Sequence, residues 1–230
     1  MERSLFQLGA RLSACADFVR KGNKLADIGT DHALLPIWLV RSGIVNTAIA
    51  ADLREGPLRS AAENAEKHQV SEQITTKLSD GLQNIQENEA DDIVIAGMGG
   101  TLILKIINEA PWLKNLHKQL ILQPMKDVHD LRKGLAEEGF CIKKEKAVLD
   151  TRPYTIMSVY YTGQKKTLSL FEMYMGEIDP ETTEARAYAE KVCRMLEKEM
   201  KGFAGNSDKE EIQKRVNLKL EIEEKYGVKK

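Results

Sequence analysis

The chain has few of the features that mark several large protein classes. Its 230 residues contain three widely spaced cysteines, Cys15, Cys141 and Cys193, and no C-x-x-C pair. An odd count at this spacing indicates neither a disulfide framework nor a zinc site, so we expect no bound metal. No apolar run is long enough to span a bilayer, and the first residues contain no secretory apolar core. We therefore expect a cytoplasmic protein without membrane contact.

The chain also lacks an excess of charge of either sign, because its formal net charge is −1. This balance excludes a strongly cationic protein, although a local basic face is sufficient for contact with nucleic acid. The length of 230 residues and the hydrophobic content of 42% support one large domain with a small appendage.

The turn after the first predicted strand has fewer glycines than a dinucleotide-binding turn. Residues 24–34 form a short apolar strand, one glycine at Gly29 and the start of an apolar helix. This pattern predicts the strand–turn–helix corner of a doubly wound α/β domain, where ligands bind at the carboxyl ends of the strands. Asp31 stands where a dinucleotide-binding turn has its second glycine, and its carboxylate would repel a pyrophosphate. S-adenosylmethionine has no phosphate and carries two cationic groups, so Asp31 favours it over NAD.

Two alternatives accompany this interpretation of the turn. Asp31 is also suited to cap the helix that follows, a frequent role for aspartate. A nicotinamide-dependent oxidoreductase remains a rival class, but it predicts a G-x-G-x-x-G turn that is missing after the first strand.

Apolar runs with strand and helix character alternate along the next part of the chain. The predicted strands are 24–28, 47–51, 74–78, 92–96 and 119–123, and the helices between them lie near 33–43, 56–68, 101–109 and 127–138. This alternation predicts an α/β fold, a mostly parallel sheet with helices on both faces. Two more strands, 142–149 and 154–161, follow without a helix between them. An antiparallel pair in this place is typical of the seven-stranded sheet of Rossmann-like methyltransferases.

Helical periodicity predicts three further segments outside this alternation. One helix spans 4–20, and two more span 181–201 and 208–226. Gly202, Gly205 and Asn206 indicate a turn between the last two, and Ser207 with Glu210 has the form of a capping box. We expect a C-terminal, coiled-coil-like helical hairpin. The predicted domains are therefore 1–163, which binds the cofactor, and 164–230, a helical arm.

Candidate ligand-binding residues follow the other predicted strands. Asp52 closes the second strand, about 20 residues after the glycine turn, where an acid accepts hydrogen bonds from ribose hydroxyls. Asp80 and Gly81 close the third strand, where a carboxylate can receive the adenine amino group. The fourth strand ends in Gly97, Met98 and Gly99, and the glycines permit close backbone approach.

Five segments resemble one bacterial family, the tRNA adenine-N1 methyltransferases that act on adenosine 22 in the D-arm. They are Asp-Ile-Gly-Thr-Asp-His-Ala-Leu-Leu-Pro (27–36), Ala-Asp-Leu-Arg-Glu-Gly-Pro-Leu (51–58), Ser-Asp-Gly-Leu (79–82), Ile-Ala-Gly-Met-Gly-Gly (95–100) and Leu-Gln-Pro (122–124). The resemblance covers residues 1–163 in order and also fits the terminal hairpin.

The resemblance implies methyl transfer from S-adenosyl-L-methionine to N1 of an adenosine in tRNA. The cofactor-binding residues that it implies are Asp27, Gly29, Asp31, Asp52, Leu53, Asp80, Gly81, Gly97, Met98 and Gly99. Asp31 is the candidate carboxylate beside the reacting base, and His32 is the candidate proton acceptor. The candidate RNA-binding residues are Arg11, Arg20, Lys21, Arg152 and Tyr154. We expect no obligate protein partner.

The sequence is compatible with three alternatives. A methyltransferase acting on another RNA or on a small molecule fits the same motifs. A non-catalytic RNA-binding protein with a Rossmann fold is the other alternative, although Asp52, Asp80 and the glycines are all retained. For His32, a purely structural role is as compatible with the sequence as a role in proton removal.

Overall fold

The computed structural model describes residues 6–203 and 209–228, and within them a seven-stranded sheet forms the centre of the molecule. The strands are β1 (Leu25–Ile28), β2 (Ala48–Asp52), β3 (Ile74–Leu78), β4 (Asp92–Met98), β5 (Gln119–Pro124), β6 (Phe140–Leu149) and β7 (Pro153–Tyr161). Their order is β3-β2-β1-β4-β5-β7-β6, and β7 alone runs antiparallel to its neighbours. The predicted α/β class and the antiparallel last pair are confirmed, with strand ends within two residues of those expected.

Eight α-helices in the described ranges surround the sheet or extend from it. They are α1 (Ala10–Ala16), α2 (Leu34–Arg41), α3 (Glu55–Lys67), α4 (Gly100–Asn108), α5 (Val128–Glu137), α6 (Leu170–Met175), α7 (Thr183–Phe203) and α8 (Lys209–Tyr226). Among the described residues, no helix has the length and apolar character that a membrane span requires.

Side chains alternate between the two faces of the sheet, as the pleat requires. Ala26 and Ile28 of β1 pack with the core beneath α4 and α5. Leu25 joins the opposite core, beneath α1, α2 and α3. Both faces are therefore covered by helices, which leaves the ends of the strands as the accessible part of the sheet.

The N-terminal helix is shorter than its periodicity predicts. The periodicity predicts a helix over 4–20, of which residues 4 and 5 lie outside the described residues, and the helix begins at Ala10 and ends at Ala16. After Asp17 the chain tightens into a turn, and the backbone N–H of Arg20 donates to Asp92 Oδ2 at 2.7 Å. This tertiary contact ends the helix, because Asp92 is buried at the start of β4 and needs these donors.

The C-terminal hairpin packs with α6 in a core of its own. On α7 the periodicity predicts a stripe of Ala185, Tyr188, Ala189, Val192, Leu196 and Met200, and all of these are buried except Met200, which is half-buried. On α8 the periodicity predicts a buried face of Ile212, Val216, Leu220 and Tyr226, which is confirmed for Tyr226 and wrong for Leu220. Leu220 is 49% exposed, and the buried apolar positions are Leu218, Ile222 and Tyr226. Two apolar stripes with the same spacing run along α8, and packing against α6 and α7 selects the second.

The turn predicted between these helices is only partly described. Gly202 lies inside α7, because the helix continues to Phe203. Gly205, Asn206 and Ser207 fall outside the described residues, so the turn and capping box remain predictions.

A buried arginine joins the hairpin to the sheet domain. Arg132 of α5 is 1% exposed, and its Nη2 lies 2.7 Å from Glu145 Oε1 on β6. Its Nη1 donates to the carbonyl oxygens of Met173 and Tyr174 at 2.7 and 2.8 Å. Its Nη2 also donates to the hydroxyl of Tyr188 on α7 at 3.3 Å. We call this group of residues the Arg132 joint.

Candidate cofactor and active site

The carboxyl ends of β1, β2, β3 and β4 bring the predicted motifs to one edge of the sheet. The backbone N–H groups of Gly29 and Thr30 both donate to the carbonyl of Ala51, at 2.8 and 2.9 Å. The N–H of Ser79 donates to the carbonyl of Asp52 at 2.9 Å. β1 lies between β2 and β4, and this reversal of strand order opens a crevice where α/β domains bind ligands.

Gly29 is favoured at its position by its backbone conformation, and it packs closely against a neighbouring side chain. Its φ is +74°, a region that favours glycine. A Cβ at this position would lie 2.2 Å from Cε of Met98. The end of β1 therefore packs directly against the end of β4, with Met98 filling the space that a side chain would need.

The turn after Gly29 exposes the two candidate catalytic side chains. Asp31 is 83% exposed and His32 51% exposed, and Asp31 Oδ1 lies 3.1 Å from His32 Nε2. His32 and Ala33 both have left-handed backbone conformations, with φ of 64° and 53°. Ala33 is the residue that precedes α2, and no side chain caps this helix. The alternative in which Asp31 caps α2 is therefore wrong, and its carboxylate is open to solvent.

The ends of β2 and β3 supply carboxylates farther along the same edge. The Asp52 side chain is only 11% exposed, and its Oδ1 accepts the N–H of Arg54 at 2.8 Å. Leu53, the next residue, is 63% exposed. Asp80 is exposed, and Gly81 follows it with a φ of +56°. A fixed carboxylate beside an exposed apolar surface is suited to hold a ribose and an adenine ring together.

A bulge shapes the end of β4. The pairing of β4 with β5 shifts between Ala96 and Met98, and Gly97 in the bulge has a φ of +82°. The Gly97 N–H donates to Oε1 of Gln123, a fully buried side chain, at 3.1 Å. Sequence reasoning gave Gln123 no role of its own. The signal was present, because Gln123 is polar and ends the apolar run Leu120–Ile121–Leu122 of β5.

The same glutamine anchors the N-terminal helix. Arg11 Nη1 donates to Gln123 Oε1 at 3.2 Å, and Arg11 Nε donates to Asp150 Oδ2 at 3.0 Å. The guanidinium also lies 5.4 Å from the ring centre of Tyr154. Tyr154 is 5% exposed, with Lys191 Nζ 5.1 Å from its ring centre. Tyr154 is therefore covered by two cations and presents little ring surface to a base.

Asp27 lies in β1 beneath this edge and is buried. It is 7% exposed on the face of β1 that packs against α1. Burial raises the pKa of Asp27 to about 6, in part offset by the Thr30 hydroxyl. Burial, with the nearby charge of Asp27, also raises the pKa of the Cys15 thiol to about 12. Asp27 thus supports the turn from below.

The candidate RNA-binding residues divide between the two edges of the sheet. Arg11 and the exposed Arg152 lie at the crevice edge, in the region of the β6–β7 turn. Arg20 lies at the opposite edge, where its Nε donates to Asp92 Oδ1 at 2.7 Å. It also donates to the carbonyls of Asp91 and His117, and Lys21 lies beside it. The structure therefore brings Arg11, Arg152 and Tyr154 together and keeps Arg20 and Lys21 apart from them.

A cavity of about 360 Å³ lies away from this edge, between α5, the start of β6 and the segment 162–177. The predicted motif residues do not line it. The open crevice at the carboxyl ends of the strands is therefore the candidate site.

Comparisons with known proteins agree with this fold. Residues 8–157 match the family model described as a methyltransferase domain. The tRNA (adenine(22)-N(1))-methyltransferase of Bacillus subtilis is 37% identical over 139 residues, which cover 60% of this chain and 58% of that protein. The chain thus spans less than two thirds of this curated relative.

Solved structures match over nearly the whole chain. A candidate tRNA (m1A22) methyltransferase of Streptococcus pneumoniae is 34% identical, with a TM-score of 0.83 over 96% of this chain and 100% of that one. The B. subtilis m1A22 tRNA methyltransferase is 26% identical, with a TM-score of 0.80 over 97% and 100% of the two chains. The S. pneumoniae protein has also been solved in complex with S-adenosyl-L-methionine.

The sheet order and the crevice define a methyltransferase domain of the Rossmann-like class. Within that class, the chain belongs to the bacterial tRNA (m1A22) methyltransferase family.

Proposed function

We propose that this protein transfers the methyl group of S-adenosylmethionine to N1 of adenosine 22 in tRNA. The observation that carries the proposal is the turn after β1, where an exposed Asp31 replaces a glycine beside the packed contact of Gly29 with Met98. The family of the chain supports the same activity. A carboxylate at this point of the crevice suits a cationic cofactor and opposes one with a pyrophosphate.

The residues of the crevice fit S-adenosylmethionine. Asp52 and Asp80 offer acceptors for ribose hydroxyls and an adenine amino group, and Leu53 offers an apolar surface. Asp31 offers a negative charge to the cationic methionine end. A dinucleotide fits less well, because its pyrophosphate would face Asp31. Within ranges 6–203 and 209–228, no cluster of side chains is suited to hold a metal ion.

The chemistry places modest demands on the protein. The cofactor supplies an electrophilic methyl carbon bound to a sulfonium. The N1 lone pair of adenine forms a bond to this carbon as the carbon–sulfur bond breaks, so the base gains positive charge. We propose that Asp31 stabilises this charge and that His32, 3.1 Å from it, accepts a proton from the adenine amino group. Alignment of the two reactants supplies the rest of the acceleration.

We further propose that the helical hairpin contacts the tRNA. Lys191 of α7 donates to the carbonyl of Pro153 at 2.8 Å, next to Arg152 in the β6–β7 turn. Arg194, Lys198 and Lys201 continue along the exposed side of α7 from there. Ten residues of helix extend about 15 Å. This line of cations is suited to contact the phosphates of a structured RNA whose reacting base lies in the crevice.

The decisive experiment is incubation of the protein with labelled S-adenosylmethionine and bulk bacterial tRNA, followed by nucleoside analysis. We expect 1-methyladenosine, located at position 22 by primer extension. Label in another nucleoside or in a small molecule would support the alternative substrates, and no label in any acceptor would support the non-catalytic alternative. Asp52→Ala should weaken cofactor binding by roughly 1.5–3 kcal/mol, because it removes charge-assisted hydrogen bonds to ribose.

The contribution of the hairpin needs a separate test. We expect the triple charge reversal Arg194→Glu, Lys198→Glu, Lys201→Glu to raise the KM for tRNA at least about tenfold and to reduce the salt dependence of binding by about three counterions. The matched control reverses Lys67, Lys105 and Lys133, which are exposed on the helices that cover the sheet. Equal KM values for the two triple variants would remove the hairpin from RNA recognition.

A further inference from the structure

The turn that presents Asp31 and His32 is held in a conformation that its own residues disfavour. His32 and Ala33 are consecutive left-handed residues, with φ of 64° and 53°, and neither is a glycine. Such conformations cost energy in L-residues and persist only where surrounding contacts enforce them. No side chain caps the start of α2, although the Ala33 carbonyl accepts the N–H of Ile37 at 3.0 Å.

One side chain from another element holds this turn. Asn64 Nδ2 on α3 donates to the carbonyl oxygen of His32 at 3.0 Å. Because a carbonyl only accepts hydrogen bonds, the amide nitrogen of Asn64 must face it, and the orientation of the amide is settled. α3 directly follows the segment of Asp52, so this bond joins the predicted ribose side of the crevice to the predicted reacting side.

We propose that Asn64 is a positioning residue that keeps the Asp31–His32 turn left-handed and thereby aims both side chains at the methyl acceptor. This inference rests on the proposed methyl transfer. Without the bond, His32 and Ala33 relax toward ordinary backbone conformations, and the exposed Asp31 and His32 side chains lose their fixed direction. Because Asn64 acts through the His32 carbonyl, we expect its loss to lower the rate of the chemical step and to leave the binding of tRNA unchanged.

The first test compares Asn64→Ala with the wild type. Alanine has the higher helix propensity, so α3 and the fold are retained. We expect the single-turnover methylation rate at saturating cofactor to fall about fivefold to tenfold, the effect of one lost hydrogen bond, with the KM for tRNA unchanged. Asn64→Asp should lower the rate at least as much, because its carboxylate offers only acceptors to the His32 carbonyl. Asn108→Ala, at the exposed far end of α4, is the matched control.

The second test is rescue at the turn itself. Glycine adopts positive φ without penalty, so Ala33→Gly relieves the strain that Asn64 opposes. In the Asn64→Ala background we expect Ala33→Gly to restore the rate to within about threefold of the Ala33→Gly single variant. A rate in Asn64→Ala equal to wild type, or a loss that Ala33→Gly leaves unchanged and that follows a lower Tm, would overturn the proposal.

A readout independent of activity separates this inference from the proposed function. Amide hydrogen exchange in residues 31–34 should accelerate in Asn64→Ala, with the rest of the sheet unaffected. Absence of tRNA methylation by the wild-type protein refutes the proposed function alone. Unchanged exchange in the turn refutes the role of Asn64, whatever the protein methylates.

Discussion

The Arg132 joint and the Asp31–His32 turn are both charged, yet they are built in opposite ways. Arg132 and Glu145 are almost fully buried, and Arg132 also donates to two carbonyls and a tyrosine hydroxyl. Thr155 donates a further hydrogen bond to Glu145 at 2.7 Å. Asp31 and His32 are exposed on a strained turn, and Asn64 supplies their support.

The charged groups of the Arg132 joint stabilise the packing of the hairpin on the sheet domain, whereas those of the turn are available to a ligand. A buried ion is tolerated only when each of its groups has a partner, so the Arg132 joint has no capacity left for chemistry. The turn leaves its carboxylate and imidazole open to the crevice and accepts backbone strain in return. The two regions therefore predict opposite responses to substitution: stability changes in the first and catalysis in the second.

The largest expected effect comes from Arg132→Ala. It leaves Glu145 buried without its cation and removes the donors to the Met173 and Tyr174 carbonyls. We expect the free energy of unfolding to fall by about 3–5 kcal/mol, as measured by urea denaturation. The matched control is Lys133→Ala, the neighbouring residue, whose pair with Glu137 is 4.0 Å long and half exposed. Comparable losses in the two variants would contradict the assignment of the Arg132 joint as a structural centre.

The opposite response is expected at Asp31. Asp31→Asn keeps the size of the side chain and one oxygen but removes the charge. Turnover should fall by about two orders of magnitude, the usual effect of losing one electrostatic stabiliser, while Tm and tRNA binding remain near those of the wild type. The measurement is single-turnover methylation at saturating cofactor beside a melting curve. Wild-type turnover under those conditions would reject the catalytic role.

A smaller effect is expected at Asp27, which is buried like Glu145 but forms no ion pair with any residue in the described part of the chain. Its pKa is raised by burial to about 6, so the native state keeps this proton where the unfolded chain has lost it. Its contribution to stability therefore falls as the pH rises from about 4 to about 6. Asp27→Asn removes this loss.

Urea unfolding of both proteins across this pH range tests the prediction. Relative to the wild type, the free energy of unfolding of Asp27→Asn should increase by roughly 1–3 kcal/mol as the pH rises from 4 to 7. The matched control is Asp17→Asn, an exposed aspartate that follows α1. A difference between Asp27→Asn and wild type that does not change with pH would show that Asp27 is charged in both states.

The sequence predicted the parts of the molecule that local patterns determine. Apolar runs and turn glycines were sufficient to predict the seven strands and the α/β class. Acidic residues at strand ends were sufficient to predict the edge of the sheet where the motifs meet. Patterns failed where long-range contacts decide. Asp92 ends α1 early, and packing against α6 selects the Leu218 stripe of α8 over the Leu220 stripe.

The supporting residues of the site were the hardest to predict. Gln123 and Asn64 each form a hydrogen bond with a backbone group that is distant in sequence, those of Gly97 and His32. No sequence spacing predicts which backbone group the side chain of a buried or helical glutamine or asparagine will bind. Arg20 has a basic neighbour and lies in an exposed segment. The local sequence therefore did not show whether Arg20 pairs with the buried Asp92 or contacts RNA.

The contacts of Arg11 have a consequence for how the protein acquires its structure during synthesis. Its partners Gln123 and Asp150 lie 112 and 139 residues farther along the chain. The first helix therefore leaves the ribosome long before the residues that fix it, and contacts of such large sequence separation form slowly. We expect the crevice to be completed only after the last two strands have paired. A nascent chain that ends before Asp150 contains the cofactor motifs but lacks the contact that fixes the first helix to them.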